Sequence, residues 1–127
     1  MKNNTGQLAQ DKFKEANPKA VRLYDFRSAM GIIPVQPGDY VVPKYIIECK
    51  STINAYFRKN NFDKRQLAMQ KRYESLGVPV FYYLWFLCPG GLKGWYVPFR
   101  FVWDFFYTKG KGKFTMEEIK EMGREEL

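Results

Sequence analysis

Asp39, Glu48 and Lys50 are the residues whose types and spacing could do chemistry. Glu48 and Lys50 stand two apart in Tyr45–Lys50, a strand-forming run, so in extended backbone both project from one face and Cys49 from the other. A hairpin centred between Pro43 and Lys44 sets Asp39 opposite Glu48 and Val41 opposite Ile46. Directly opposed Cβ atoms lie roughly 5 Å apart. Two carboxylates that close repel each other unless one takes a proton or a cation lies between them. Magnesium would relieve the conflict, and the Lys50 ammonium would orient a water or stabilise negative charge growing on a phosphorane. Histidine is absent, which excludes Ser-His-Asp and Cys-His nucleophile chemistry and His-bearing zinc sites. A metal site here rests on carboxylates and carbonyls, the ligands of a hard cation.

These residues need elements to carry them. A first helix is expected from Thr5 to Ala16, with Leu8, Ala9, Phe13 and Ala16 on one side and Asn17-Pro18 ending it. A strand follows over Ala20–Phe26, with Val21, Leu23 and Asp25 on one face, and then a Gly/Pro-rich loop over 28–38. Tyr40–Val42 and Tyr45–Lys50 form the hairpin, and a polar connection covers 53–61. Asp63 caps a second helix that runs to Leu76, with Gly77 ending it. Phe62, Gln66, Met69, Tyr73 and Leu76 fall within about 80° of one another on a helical projection. Gln66 is thus a polar member of an apolar inward face, where its amide could hold a water or a phosphate.

Val78–Leu87 is nearly all apolar, as a central strand covered on both faces would be. Pro89-Gly90-Gly91 turns the chain into a short strand, Trp95–Val97. Phe99, Val102, Trp103 and Phe106 have helical spacing after Pro98, and Lys109–Lys113 is a basic loop. Thr115 with Glu118 is a capping box for a short acidic helix within 115–127. The class is α/β, a mixed central sheet flanked by helices, in one domain spanning 1–127.

Lys plus Arg is 21 against 13 acids, and the imbalance is uneven along the chain. Five acids and two bases lie in 117–126, which leaves 19 bases and 8 acids, a net +11, elsewhere. Such a surface attracts polyanions, DNA first among them. Arg58, Lys59, Lys64, Arg65, Lys71 and Arg72 cluster around the second helix and are the expected phosphate contacts. Cys49 and Cys88 read as free thiols in a reducing cytoplasm and as small core residues. The first ten residues carry no apolar signal core, and no apolar run is long enough to cross a bilayer. Of Tyr56 and Phe57, one could stack on a distorted base and one could sit in the core. Trp95, Trp103 and Phe106 read as core.

Pro37-Gly38-Asp39 and Ile46-Ile47-Glu48-Cys49-Lys50-Ser51-Thr52, between two helices, resemble the PD-(D/E)xK nuclease superfamily. The closer likeness is to Holliday-junction resolvases of the RecU type. It rests on Asn61-Phe62-Asp63-Lys64-Arg65-Gln66, on Gly77-Val78-Pro79-Val80-Phe81, and on Tyr96-Val97-Pro98 followed by Phe101-Val102-Trp103-Asp104-Phe105. The likeness spans most of residues 6–106. It implies a restriction-endonuclease-like core and magnesium-dependent cleavage of branched DNA by a homodimer, with manganese able to substitute. Asp39, Glu48 and the Cys49 backbone carbonyl would be metal ligands, Lys50 and Gln66 catalytic, and Gln10 a weak auxiliary acting through a water. Gln10 stands in Gly6-Gln7-Leu8-Ala9-Gln10-Asp11, where the family's opening motif carries an acid. Two other readings stay open: a nuclease-fold DNA-binding module without turnover, and a repair or restriction-like nuclease acting on ordinary duplex.

Overall fold

Val80–Phe86 offers only two tyrosine hydroxyls and one indole as polar side-chain groups, so as a strand it needs a cover on both faces. The computed structural model describes residues 5–22, 38–42, 45–89 and 93–127 and provides both covers. In chain order the elements are α1 (Thr5–Ala16), β1 (Val21–Arg22), β2 (Tyr40–Val42), β3 (Tyr45–Thr52) and β4 (Tyr56–Arg58). A 3₁₀ turn (Lys59–Asn61) leads to α2 (Lys64–Ser75), β5 (Val80–Phe86) and β6 (Lys93–Pro98). Then come α3 (Phe99–Trp103), a π-helical turn (Asp104–Thr108), β7 (Lys113–Thr115) and α4 (Met116–Met122).

Five strands form one mixed sheet in the order β1-β2-β3-β5-β6. β3 and β5 are parallel, and the other neighbours are antiparallel. Strand alternation sorts the core into two layers. Ile47, Cys49, Phe81 and Tyr83 pack with Ala9 and Phe13 of α1. Ile46, Val80, Tyr82, Leu84 and Phe86 pack on the opposite face with Leu67 of α2 and with Phe99 and Val102 of α3. Pairs Tyr40↔Ile47 and Val41↔Ile46 have the register expected of the hairpin. Gly38 makes it possible, because a Cβ there would stand 2.7 Å from the Ile47 carbonyl oxygen.

Several expectations need correction. The connection over 53–61 is not a plain loop: β4 pairs with β7 in a second, two-stranded sheet. That pairing seals the large core with Phe57 and Phe114, both fully buried, which a local reading of 53–61 cannot foresee. On α2 the inward residues are Leu67 and Gln70, whereas Tyr73 and Leu76 are exposed. The helix is turned because Gln66, Gln70 and Glu74, four apart, all find partners on neighbouring strands. Ala16 and Val21 are exposed rather than core-facing. Trp103 is only partly buried at the rim of the core. The π-helical turn, in which Lys109 N–H donates to Asp104 C=O at 2.8 Å, places both Phe105 and Phe106 inside, where α-helical spacing would bury one. Leu23–Phe26, the 28–37 loop and Gly90-Gly91 lie outside the described residues.

Candidate active site

Strand alternation sends Glu48 and Lys50 to the α2 side of the sheet, and the hairpin register brings Asp39 alongside Glu48. Asp39 sits just before β2, where its own N–H donates to the Ile47 carbonyl at 2.7 Å. Its Oδ2 accepts the Cys49 N–H at 2.8 Å, a donor that lies past the end of β2. The carboxylate therefore completes the ladder at the point where the strand stops.

Glu48 is 7% exposed and shares a hydrogen bond with Asp39. Burial first, and the Asp39 charge second, push the Glu48 carboxyl up to about 8, against the pull of Lys50. Burial also raises Asp39, opposed by the Cys49 N–H and the shared hydrogen bond with Glu48. One proton is therefore held between the two carboxyls, and Glu48 carries it at neutral pH. The Lys50 ammonium stands 3.6 Å from Glu48 Oε2 and 5.4 Å from the centroid of the Phe62 ring.

Each flanking helix sends one glutamine to this pair. Gln66 of α2 donates from Nε2 to Glu48 Oε1 at 3.3 Å. Gln10 of α1 donates from Nε2 to Asp39 Oδ1 at a long 3.5 Å. Gln10 Oε1 is buried and has no hydrogen-bond partner among the described residues. A buried amide oxygen without a donor is costly, and it faces the same need as the two carboxylates: positive charge or a proton donor. Among the described residues no three His, Cys, Asp or Glu side chains converge as a metal cluster. Two carboxylates and one unsatisfied amide oxygen, all hard oxygen donors, nevertheless fit a divalent magnesium or manganese ion. The Cys49 thiol packs toward α1, and burial drives its pKa far up, so it is neither a ligand nor a nucleophile.

Asp39, Glu48, Lys50, Gln66 and Gln10 thus come together. Two neighbouring groups were not anticipated. Tyr82 pairs in register with Glu48 and donates its hydroxyl to Gln70 Oε1 at 2.6 Å, forming a floor beneath the carboxylates. The i, i+4, i+8 spacing of Gln66, Gln70 and Glu74 is the sequence signal that would have revealed it. Arg22 of β1 acts electrostatically on Asp39 and holds its pKa down. Of the expected phosphate contacts, Arg58, Lys64, Arg65, Lys71 and Arg72 are exposed and Lys59 is half-buried. At about 100° per residue, Arg65 and Arg72 lie on the side of α2 opposite its Gln66–Gln70–Glu74 stripe. No helix among the described residues is long and apolar enough to cross a membrane. Comparison with protein-family models and with curated proteins finds no match to this chain.

Proposed function

We propose that the chain is a divalent-cation-dependent endodeoxyribonuclease with a restriction-endonuclease-like core, acting on branched DNA as RecU-type resolvases do. The observation that carries this reading is the buried Asp39–Glu48 pair with Lys50 beside it. Burying two carboxylates against each other costs stability, and a cation offsets that cost. The element order and mixed sheet are compatible with such a core, and the net positive charge of the body suits a DNA ligand.

When bound, magnesium supplies Lewis-acid polarisation of a phosphate oxygen and a lowered water pKa. Asp39 and Glu48 would hold it, with the Cys49 carbonyl as a further donor and Gln10 as an uncharged auxiliary. Lys50 would set a fixed positive charge where the phosphate becomes more negative. Gln66 would orient a water or phosphate oxygen through its amide while keeping Glu48 in place. The basic residues around α2 would grip the DNA backbone without reading sequence. Two symmetric cuts in a junction call for a homodimer.

Cleavage of a four-way junction beside a matched linear duplex, with magnesium, manganese or EDTA, tests the reading. Metal-dependent cuts in the junction are expected. Equal cutting of the duplex would favour a repair or restriction-like nuclease. Binding without cleavage in every metal would favour a nuclease-fold module without turnover, the reading supported by an amide, not an acid, at Gln10.

A further inference from the structure

On the flank of α2 away from Gln66, the π-helical turn presents an aromatic pair that core packing does not use up. Trp103 and Tyr107 have ring centroids 4.5 Å apart and planes inclined at 35°. Tyr107 is 39% exposed. Each ring has an ammonium over it: Lys71 lies 4.3 Å from the Trp103 centroid and Lys59 4.4 Å from that of Tyr107. Lys59 is held by its N–H bond to the Gly112 carbonyl at 2.9 Å. Its neighbour Arg58 covers Tyr56, as does Lys113 from the paired strand β7. The two acids closest to Trp103 are engaged by the fold. Glu74 accepts the Val80 N–H at 2.7 Å, and Asp104 accepts the Thr108 hydroxyl at 3.2 Å.

We propose that Trp103 and Tyr107 form a stacking platform for unpaired bases of a nucleic-acid strand, with Lys59, Lys71 and Arg58 meeting its phosphates. Alternating aromatic faces and mobile cations are what a single strand binds without sequence preference. Exposed cation–π pairs are weak, so a base displaces an ammonium readily and the ammonium turns to the adjacent phosphate. In a duplex each base face is covered by its neighbours, so the platform selects unpaired nucleotides. Lys71 stands roughly 140° around α2 from Gln66, so a strand crossing the outer face of the helix, over Arg65 and Arg72, joins the platform to the carboxylate site. The substrate class becomes DNA with an unpaired segment beside the point of cleavage. This inference rests on the reading of the chain as a nucleic-acid binder, but not on its turnover.

The test is binding of the full chain in EDTA to labelled oligothymidylate and to a strand of equal length built of abasic residues. Tyr107→Ser is expected to bind oligothymidylate about tenfold more weakly and the abasic strand as the parent does, while Tyr107→Phe retains parental affinity. Oligothymidylate is also expected to quench the intrinsic fluorescence of the parent, and most of that quenching is lost in Trp103→Phe, since Trp85 and Trp95 lie elsewhere on the sheet. Equal losses on both strands, no loss on either, or full quenching in Trp103→Phe would overturn the platform. So would a parent that binds neither strand. Because EDTA removes cleavage from the measurement, an inactive protein can still show the platform, and an active one can still lack it.

Discussion

Two buried polar pairs lie side by side between α2 and the sheet, and they are resolved in opposite ways. Tyr82 and Gln70 meet hydroxyl to amide at 2.6 Å, both essentially inaccessible and neither charged. Burial raises the Tyr82 pKa well above its usual value, so the hydroxyl keeps the proton it donates. Asp39 and Glu48 meet carboxyl to carboxyl, and the fold supplies one ammonium, two amides and a backbone N–H without satisfying both charges. A neutral pair is satisfied inside the protein alone, whereas two carboxylates need a proton or a cation from solution. The first pair is therefore structural in kind and the second is poised for a ligand.

The sharpest way to break this contrast is to remove a charge from the second pair. Asp39→Asn or Glu48→Gln is expected to abolish metal-dependent DNA cleavage while leaving DNA binding equal or tighter, as gel shifts in EDTA would show. Stability should move differently. The Glu48 carboxyl is held near 8 in the folded state against an unfolded value of 4.5, so between those values the folded protein binds more protons than the unfolded one. Metal-free protein should therefore lose stability as pH rises from 4.5 towards about 8, and denaturant titrations of Glu48→Gln should show that slope flattened. An unchanged slope would remove Glu48 as its source.

Lys50→Ala is the next largest expected change, a barrier increase of about 2–4 kcal/mol in single-turnover cleavage. A rate within a few-fold of the parent would leave Lys50 only its packing over Phe62. On the neutral pair, Gln70→Leu should cost about 1–3 kcal/mol of stability by leaving the Tyr82 hydroxyl buried and unpaired. Adding Tyr82→Phe should recover much of that loss in denaturant titrations, since both polar groups are then gone. If the double variant is as unstable as the single, the hydrogen bond is not the source of the cost. The smallest change is Gln10→Glu, which puts a third carboxylate beside Asp39. The metal concentration for half-maximal cleavage should fall a few-fold, and in EDTA the variant should be less stable than the parent, because like charge accumulates without a cation.

Local chemistry made several of these features readable in the chain. Period-two alternation put Glu48 and Lys50 on one face, the hairpin put Asp39 opposite Glu48, and Asp63 and Thr115 announced the helices they cap. Each depends on residues within about a dozen positions, where backbone geometry alone decides the outcome. The facing of α2 was not readable. Its apolar spacing suggested Tyr73 and Leu76 inside, yet Gln66, Gln70 and Glu74 turn inward because Glu48, Tyr82 and the Val80 N–H await them on strands distant in sequence.

Composition and short-range pattern by themselves determined that this protein is a mixed α/β chain with a basic body, an acidic end and one same-face acid–lysine pair. Only the tertiary structure decided the rest. The β4–β7 sheet exists because Phe57 and Phe114 share one core across more than fifty residues of chain. Trp103 lies at the rim because a π-helical turn shifts the register of everything after it. Glu48 is a protonated, buried acid because layers from both ends of the sequence close over it. Burial and charge coupling arise from what surrounds a residue in space, and no spacing along the chain contains that information.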